Sequence, residues 1–487
     1  MPLDKTNKFL QYLCQLLNIK STEDIDMTIN ISRGIEDLQK NPGLLLFDNV
    51  TQNLPIFNHA FLNKNVNNSS RIPESGIIKS IHHMQCLGKT NYQDIDSFNH
   101  DTLFVNSIGR TISPESLRQR FDIIGRNNTF LPAVDASVAQ QLRLASLREV
   151  SFFNYRLVPC DIDVTPFANP GVHKEGISCT YKLVDGFAPI NAYLGGYAEC
   201  FDLREGKQHS ENGAIPFLHR CFAISKEANV SPGTILVRVD SGHDDHKFVD
   251  ACEKEKTNYL IKRNLRGASQ INIIRFAKSN VKPILSEDGC YLIYRFTYDL
   301  KPSGSPNSHA YSVFEVRELL HDKNGIDPYP LLRMLDALNP GSGTAIYEVD
   351  SWWTNLPRLS QVGDVTLANK IIGLYRDHAT SEQYHSELKT DMNMELLPSK
   401  YFSTNKAFLA LSAVAFNTLR LIGDRAIAID KSLQHHKTVR TERIRLRTVI
   451  DKFCTIACKV VQHARKICVI FGKHCRYYDT FAKLYQL

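Results

Sequence analysis

Several chemistries are set aside by motifs that this 487-residue sequence does not contain. Its twelve cysteines include no CxxC pair, so neither a zinc ribbon nor a thiol–disulfide redox motif is spelled out, and free buried thiols are expected. No GK[ST] follows the glycines of NPGSGTA, which removes a phosphate-binding P-loop. His243 and His246 in SGHDDH lack the HExxH helix of a zinc hydrolase, and no GxSxG elbow is present for a serine hydrolase. No apolar run reaches the roughly 20 residues of a membrane span. The longest, FLALSAVAFNTLRLIG, is broken by Asn417 and Arg420 and reads as a buried helix. The opening stretch MPLDKTNKFLQYLCQLLNIKS mixes acids and lysines with apolar residues, unlike a secretory leader. The expectation is a cytoplasmic protein with no membrane partner.

What is present is an ordinary globular composition, 43% hydrophobic and 22% charged, in a chain long enough for about three domains. The net charge of +7 is unevenly placed. From Lys431 to the end, thirteen Lys/Arg face three Asp/Glu, a balance of +10, which leaves −3 for the rest. A basic tail containing Arg440, Arg443 and Arg447 on a near-neutral body suits phosphate binding, because neutralised phosphates release counterions. The same tail holds Cys454, Cys458, Cys468 and Cys475 beside His463 and His474. Cys454 and Cys458 would share one helical face, although the spacing fits no standard zinc finger.

Residues 1–150 read as a helical N-terminal region. There DTLFVNSIG and PESLRQRFD suggest a helical pair, with Ser113 as cap, Pro114 at the first helical position, and Arg118 and Arg120 projecting. From 151 to 269 the pattern is three strands, helix, strand, helix, strand: an α/β core with mixed strand directions. Residues 270–368 read as a β-rich insertion, with INIIRFA, YLIYRFTYDL, YSVFEVREL and TAIYEVDSWWT as strands. Helices return over 369–425, and a basic helical region spans 426–487.

Three acids stand where phosphodiester chemistry would use them. Asp163 ends the strand of DIDVTPF, Asp240 closes ILVRVDSG, and Glu382 lies on the helix LYRDHATSEQYHSELKTD. Two hard divalent ions need only a few carboxylates at element ends. Asp161 shares a strand face with Asp163 and spacing does not separate them; Asp185, Asp244 and Asp245 are further candidates. On the helix, Tyr375, His378, Glu382 and Lys389 share one stripe, a pattern that suits a metal-bound phosphate.

That stripe resembles the Y-x2-R-x3-E-x6-K motif of bacterial insertion-sequence DDE transposases, matched at Tyr375, Glu382 and Lys389 with His378 in the arginine's place. The segments DIDVTPF, ISCTYKLVDGFAPINAYLG, LREGKQHS, LVRVDSG, IKRNL and YHSELKTDMNMELLPSKYFSTN are similar, in order, to the "transposase DDE domain group one" family; RTERIRLRTVIDKFCTIACKVVQHAR is so more loosely.

The resemblance implies a ribonuclease-H-like core with a β-rich insertion before its last catalytic helix. It implies Asp163, Asp240 and Glu382 as the metal-binding triad, with Glu387 as the runner-up third acid. Mg²⁺, or Mn²⁺ in its place, would be the cofactor. The substrate would be double-stranded DNA, namely element ends and target, handled by a homodimer at the nucleoid. Tyr375, His378 and Lys389 would hold the phosphate, Lys262 and Arg263 would line the DNA path, and Trp352 or Trp353 would stack on a flipped base. Ala168 and His173 depart from the family's polar and basic residues, and His378 offers a weaker, pH-dependent phosphate contact than arginine. A catalytically inactive DNA-binding relative and a simple metal-dependent nuclease are the rival expectations.

Overall fold

The computed structural model describes residue 36 and residues 38–57, 72–265, 267–341, 346–359, 361–434, 443–464 and 466–487, with only the backbone of 267–269. The chain divides into Met1–Leu38, of which only Glu36 and Leu38 are described, and Gln39–Leu487. The core sheet and its helices lie in the second unit.

Five helices open it: α1 (Gly43–Thr51), α2 (Glu74–Cys86), α3 (Thr102–Ile108), α4 (Pro114–Ile124) and α5 (Phe130–Leu144). The expected cap is present: Ser113 accepts the Ser116 N–H at the start of α4, with Pro114 at the first helical position. The arginines of α4 are engaged within the fold. Arg118 pairs with Glu115 and Asp122, and Arg120 donates to the Ile72 carbonyl.

The core sheet follows: β1 (Tyr155–Val164), β2 (Ile190–Leu194), β3 (Tyr197–Asp202), α6 (Ala214–Glu227), β4 (Ile235–Val239), α7 (His246–Glu255) and β5 (Asn258–Lys262). These strands lie in the order β3-β2-β1-β4-β5. The β1–β2 and β2–β3 pairs are antiparallel, whereas β1–β4 and β4–β5 are parallel. This is the ribonuclease-H-like arrangement that the resemblance implied.

The insertion continues this sheet. It contains α8 (Gly267–Asn280), β6 (Tyr291–Tyr298), β7 (Tyr311–Leu319), α9 (Pro330–Leu338) and β8 (Tyr347–Thr354). β8 pairs antiparallel with β5, and β7 and β6 follow outward, so one ten-stranded sheet runs through core and insertion. INIIRFA was expected as a strand and is instead part of α8. Its isoleucines suit either element, but Ile274 and Ala277, three apart, are buried against Tyr294, Phe296 and Phe314 of the sheet.

Beyond the insertion come α10 (Asp364–Arg376), α11 (Thr380–Ser386), α12 (Phe402–Ile429), α13 (Leu446–Val449) and α14 (Tyr478–Gln486). α12 is apolar on every side and accordingly buried, packing on β3, α5 and α2. By length and composition it could cross a membrane, yet 94% of its apolar window lies inside the protein. Its one amide facing the sheet, Asn417, both donates to and accepts from the Ala198 backbone at 2.8 Å, acting as a local strand partner.

The basic tail is only partly helical. Between α13 and α14 it forms an antiparallel hairpin, Cys458–His463 against Lys466–Phe471. Cys454 and Cys458 therefore share no helical face, and the cysteines among the described residues are free thiols.

On β3, Glu199 is 1% exposed. Burial pushes its carboxyl up to about 7, against hydrogen bonds from Ser225 and from Cys160 at 3.2 Å. An unfolded Glu titrates near about 4.3. The folded chain therefore holds this proton more tightly, and the stability it confers is complete below about pH 4 and lost as pH rises through 7. Glu199→Gln should thus gain stability relative to wild type between pH 5 and 8 in urea unfolding. A difference that stays flat with pH would contradict this.

Candidate active site

Asp161 and Ile162 of β1 lie directly beside Arg238 and Val239 of β4. The next residue on each chain is Asp163 and Asp240, so two carboxylates come together at the C-terminal ends of adjacent parallel strands, where α/β sheets place their sites. Both side chains are partly exposed, at 32% and 49%. Burial, and then the charge of Asp240, push the Asp163 carboxyl up to about 6. Burial also works against Asp240, but His243, 2.9 Å away, and the Gly242 N–H hold it below the usual carboxylate range.

The competing acids are occupied. Asp161, 3% exposed, receives Arg238 at 2.6 and 2.8 Å and has His378 at 2.9 Å. The fully buried Arg238 also reaches the Leu374 carbonyl and Asp377, and Asp377 in turn pairs with Arg148. This network fixes the joint between α10 and α11 against β1 and β4. Asp244 accepts from the Trp353 indole and the Asn264 N–H, and Asp245 caps α7. Asp185 begins a short strand in a separate three-stranded sheet.

The same test separates the two glutamates. Glu387 lies in the wide turn Glu387–Asp391 that follows α11 and is 1% exposed. Arg443 grips it at 2.6 and 2.8 Å, the Leu446 N–H donates to it, and Arg420 lies 3.6 Å away. Glu382 is exposed and makes no hydrogen bond or ion pair with the described residues. It sits on α11 between His378 and His385, whose rings face the carboxylates. Among the described residues no three His, Cys, Asp or Glu side chains gather at metal-holding distance. Asp163 and Asp240 are thus brought together, and Glu382 does not complete a three-ligand cluster with them.

His385 was not singled out from the sequence, although it continues the stripe seven residues beyond His378. Its Nδ1 lies 2.9 Å from the Thr165 hydroxyl, and its Nε2 lies 3.6 Å from Asp163 with no hydrogen-bond partner. Burial, followed by the nearby His378, pushes this imidazole down to about 3, so it stands neutral. The exposed Tyr181, also not singled out from the sequence, donates its hydroxyl to the carbonyl of Val164, next to Asp163, at 3.2 Å.

Most of the expected DNA-contacting residues are engaged within the protein. Tyr375 is half-buried, packed at tilted angles between the rings of Trp352 (5.5 Å) and His378 (5.8 Å), and burial and then Asp240 raise its hydroxyl. Lys389 donates to the Pro166 carbonyl and pairs with Glu395. Lys262 pairs with Asp350. Arg263 lies 3.8 Å over the Trp353 ring and bonds Ser312 and Ser351. Arg447 is exposed beside Asp451, Arg443 belongs to Glu387, and Arg440 lies outside the described residues. Trp352 and Trp353, expected to stack on a flipped base, are both covered. β8 is an interior strand between β5 and β7, so its two faces put both rings under cover, at 3% and 6% exposure. Ala168, one of the family departures, donates its N–H to Glu395, the partner of Lys389.

Two family profiles match this chain, each over more than half of it: transposase DDE domain group 1 across residues 26–279, and transposase DDE domain across residues 157–418. Among solved structures, the piggyBac transposase synaptic complex with hairpin DNA is similar at a TM-score of 0.40 and 10% identity, covering 85% of this chain and 81% of that one. No curated protein matches.

Proposed function

The chain belongs to the transposase DDE domain family and is a DDE-type transposase, a class that works with divalent metal ions; on that premise we propose that Asp163, Asp240 and Glu382 form its catalytic triad. The observation that carries the assignment is the Asp163–Asp240 pair at the ends of adjacent parallel strands, where burial and then the charge of Asp240 raise Asp163 to about 6. Hard, partly exposed carboxylate oxygens fit Mg²⁺, and Mn²⁺ in its place. Glu382, exposed and without a hydrogen bond or ion pair among the described residues, would supply the third oxygen ligand from α11.

Divalent ions bound there would stabilise the attacking and leaving oxygens of an in-line displacement at phosphorus. The protein's own groups orient the ligands. His243 and the Gly242 N–H fix Asp240, while Thr165 fixes the ring of the neutral His385 beside Asp163. Water attacks the phosphodiester at an element end and leaves a 3′-hydroxyl, which then attacks a second phosphodiester. The DNA is double-stranded, handled by a homodimer in the cytoplasm, because two ends must be cut together.

Phosphate binding away from the triad is supported by a cavity of about 740 Å³ where Lys452, Arg476 and Tyr477 lie beside Arg148, Arg443 and Arg445, which are held by Asp377, Glu387 and Asp391. Lys452 and Arg476 flank the Tyr477 ring at 5.1 and 5.6 Å. Lys452→Ala and Arg476→Ala should each weaken DNA binding regardless of sequence, and each should reduce the slope of log K against log salt by about 1. Unchanged slopes would remove this cavity from the DNA path.

One observation favours the rival reading of an inactive relative: Glu382 stands outside the carboxylate pair. The deciding experiment incubates the protein with a DNA fragment carrying the gene and its natural flanks, with and without Mg²⁺ or Mn²⁺. Metal-dependent breaks at the flanks, followed by joined products, are expected. Breaks never followed by joining would indicate a nuclease, and binding with no metal-dependent break an inactive relative.

A further inference from the structure

We propose that the hairpin tip Thr180–Val184 is a nucleobase-contacting finger, with the Tyr181 ring as its stacking face and Leu183 as an apolar wedge beside it. The proposal rests on the transposase reading of the neighbouring carboxylates.

The tip is rigid at its base and bare at its end. Strands Ser178–Cys179 and Asp185–Phe187 pair antiparallel, and Asp185–Phe187 pairs in turn with Phe167–Ala168. Two glycines permit this close packing. A Cβ at Gly186 would meet the Phe167 carbonyl oxygen at 1.9 Å, and one at Gly206 would meet the Ser178 carbonyl oxygen at 2.2 Å. The turn is closed by Thr180, whose N–H and hydroxyl both donate to the Val184 carbonyl at 2.9 Å, and by the Leu183 N–H, which donates to the Thr180 carbonyl.

At the end of this scaffold, Tyr181 is 61% and Leu183 85% exposed, with Val184 next to them. Leu183 holds φ at +59°, a left-handed conformation that leucine rarely adopts and that clusters at functional sites. Lys182 is exposed too, its amine 5.9 Å from the Tyr181 ring.

Position decides what this apolar tip contacts. The Tyr181 hydroxyl bonds the carbonyl of Val164, the residue next to Asp163. The charges of Asp163 and Asp240 both reach the phenol, adding to burial in pushing it up to about 12. A phosphodiester seated at the two carboxylates therefore puts its neighbouring nucleotide against the tip. A nucleobase offers the flat apolar face that suits an exposed tyrosine, and Lys182 meets the adjoining phosphate. The buried Trp352 and Trp353 cannot serve this purpose as they stand.

The test uses full-length protein and a duplex of the gene's natural flank, with 5-iododeoxyuridine placed on either side of the mapped break. Photocrosslinking followed by peptide mass spectrometry should recover the peptide containing Tyr181. Tyr181→Ala should slow single-turnover cleavage by about tenfold or more, whereas Tyr181→Phe, which keeps the ring, should cleave at close to the wild-type rate. Leu183→Gly, which relieves the backbone, should fold normally and lose cleavage more mildly. Crosslinks confined to other peptides would overturn the proposal, as would a Phe variant as slow as the Ala variant, since the hydroxyl bond to Val164 would then be what matters. If wild-type protein neither binds nor cuts the flanks, the transposase reading itself fails and the finger falls with it.

Discussion

Glu382→Gln should all but abolish metal-dependent strand breakage while leaving the protein as stable as wild type. Losing an outer-shell partner of a metal ligand already costs about 10- to 100-fold, so losing a ligand is expected to cost about a thousandfold. Glu382 is exposed and makes no hydrogen bond or ion pair among the described residues, so its replacement removes no such contact. Glu387→Gln should do the reverse. It breaks the bidentate Arg443 pair and leaves Arg443 and the 2%-exposed Arg420 without their buried counter-charge. Removing one partner of such a pair typically costs about 3–5 kcal/mol. Thermal unfolding should register that loss, while cleavage at a temperature where the variant is folded stays within severalfold of wild type. Opposite results for the two glutamates would transfer the catalytic role to Glu387.

The second large effect concerns the joint beneath the site. Arg238→Met should lower stability by about 3–5 kcal/mol, because the 3%-exposed Asp161 loses its guanidinium, whereas Asp377 keeps Arg148. Adding Asp161→Leu should recover part of the loss, since replacing a whole buried pair by apolar side chains is often close to neutral. Urea unfolding of the single and double variants measures both terms. A single variant within about 1 kcal/mol of wild type would mean that the network is not what locks α10 and α11 onto the sheet.

How far the sequence can be read is clearest at these residues. The core strands were legible because alternation stops at an acid or a glycine, and the order of strands and helices matched. Asp161 and Asp163 were not separable, since residues two apart on a strand share a face. What separates them is Arg238, which lies directly beside Asp161 only because β1 and β4 adopt one register. Glu382 and Glu387 were ranked by motif spacing, whereas the reason Glu387 is unavailable is Arg443, 56 residues away. The cover over the tryptophans was illegible for a similar reason. Whether a ring on β8 is exposed depends on strands β5 and β7 closing both its edges, and on α10 and Arg263 covering the faces. In the tail, CKVVQH and KICVIF carry β-branched residues that favour the observed hairpin over the helix suggested by cysteine spacing.

The central claim is that Asp163, Asp240 and Glu382 share the metal, and Mn²⁺ binding to the complex of protein and flank DNA tests it most directly. Paramagnetic resonance of free and bound Mn²⁺ should report strong binding by wild type and by Glu387→Gln. Binding should be much weaker in Asp163→Asn, Asp240→Asn and Glu382→Gln. A Glu382→Gln complex that binds Mn²⁺ as wild type does would contradict the claim and leave the third ligand elsewhere.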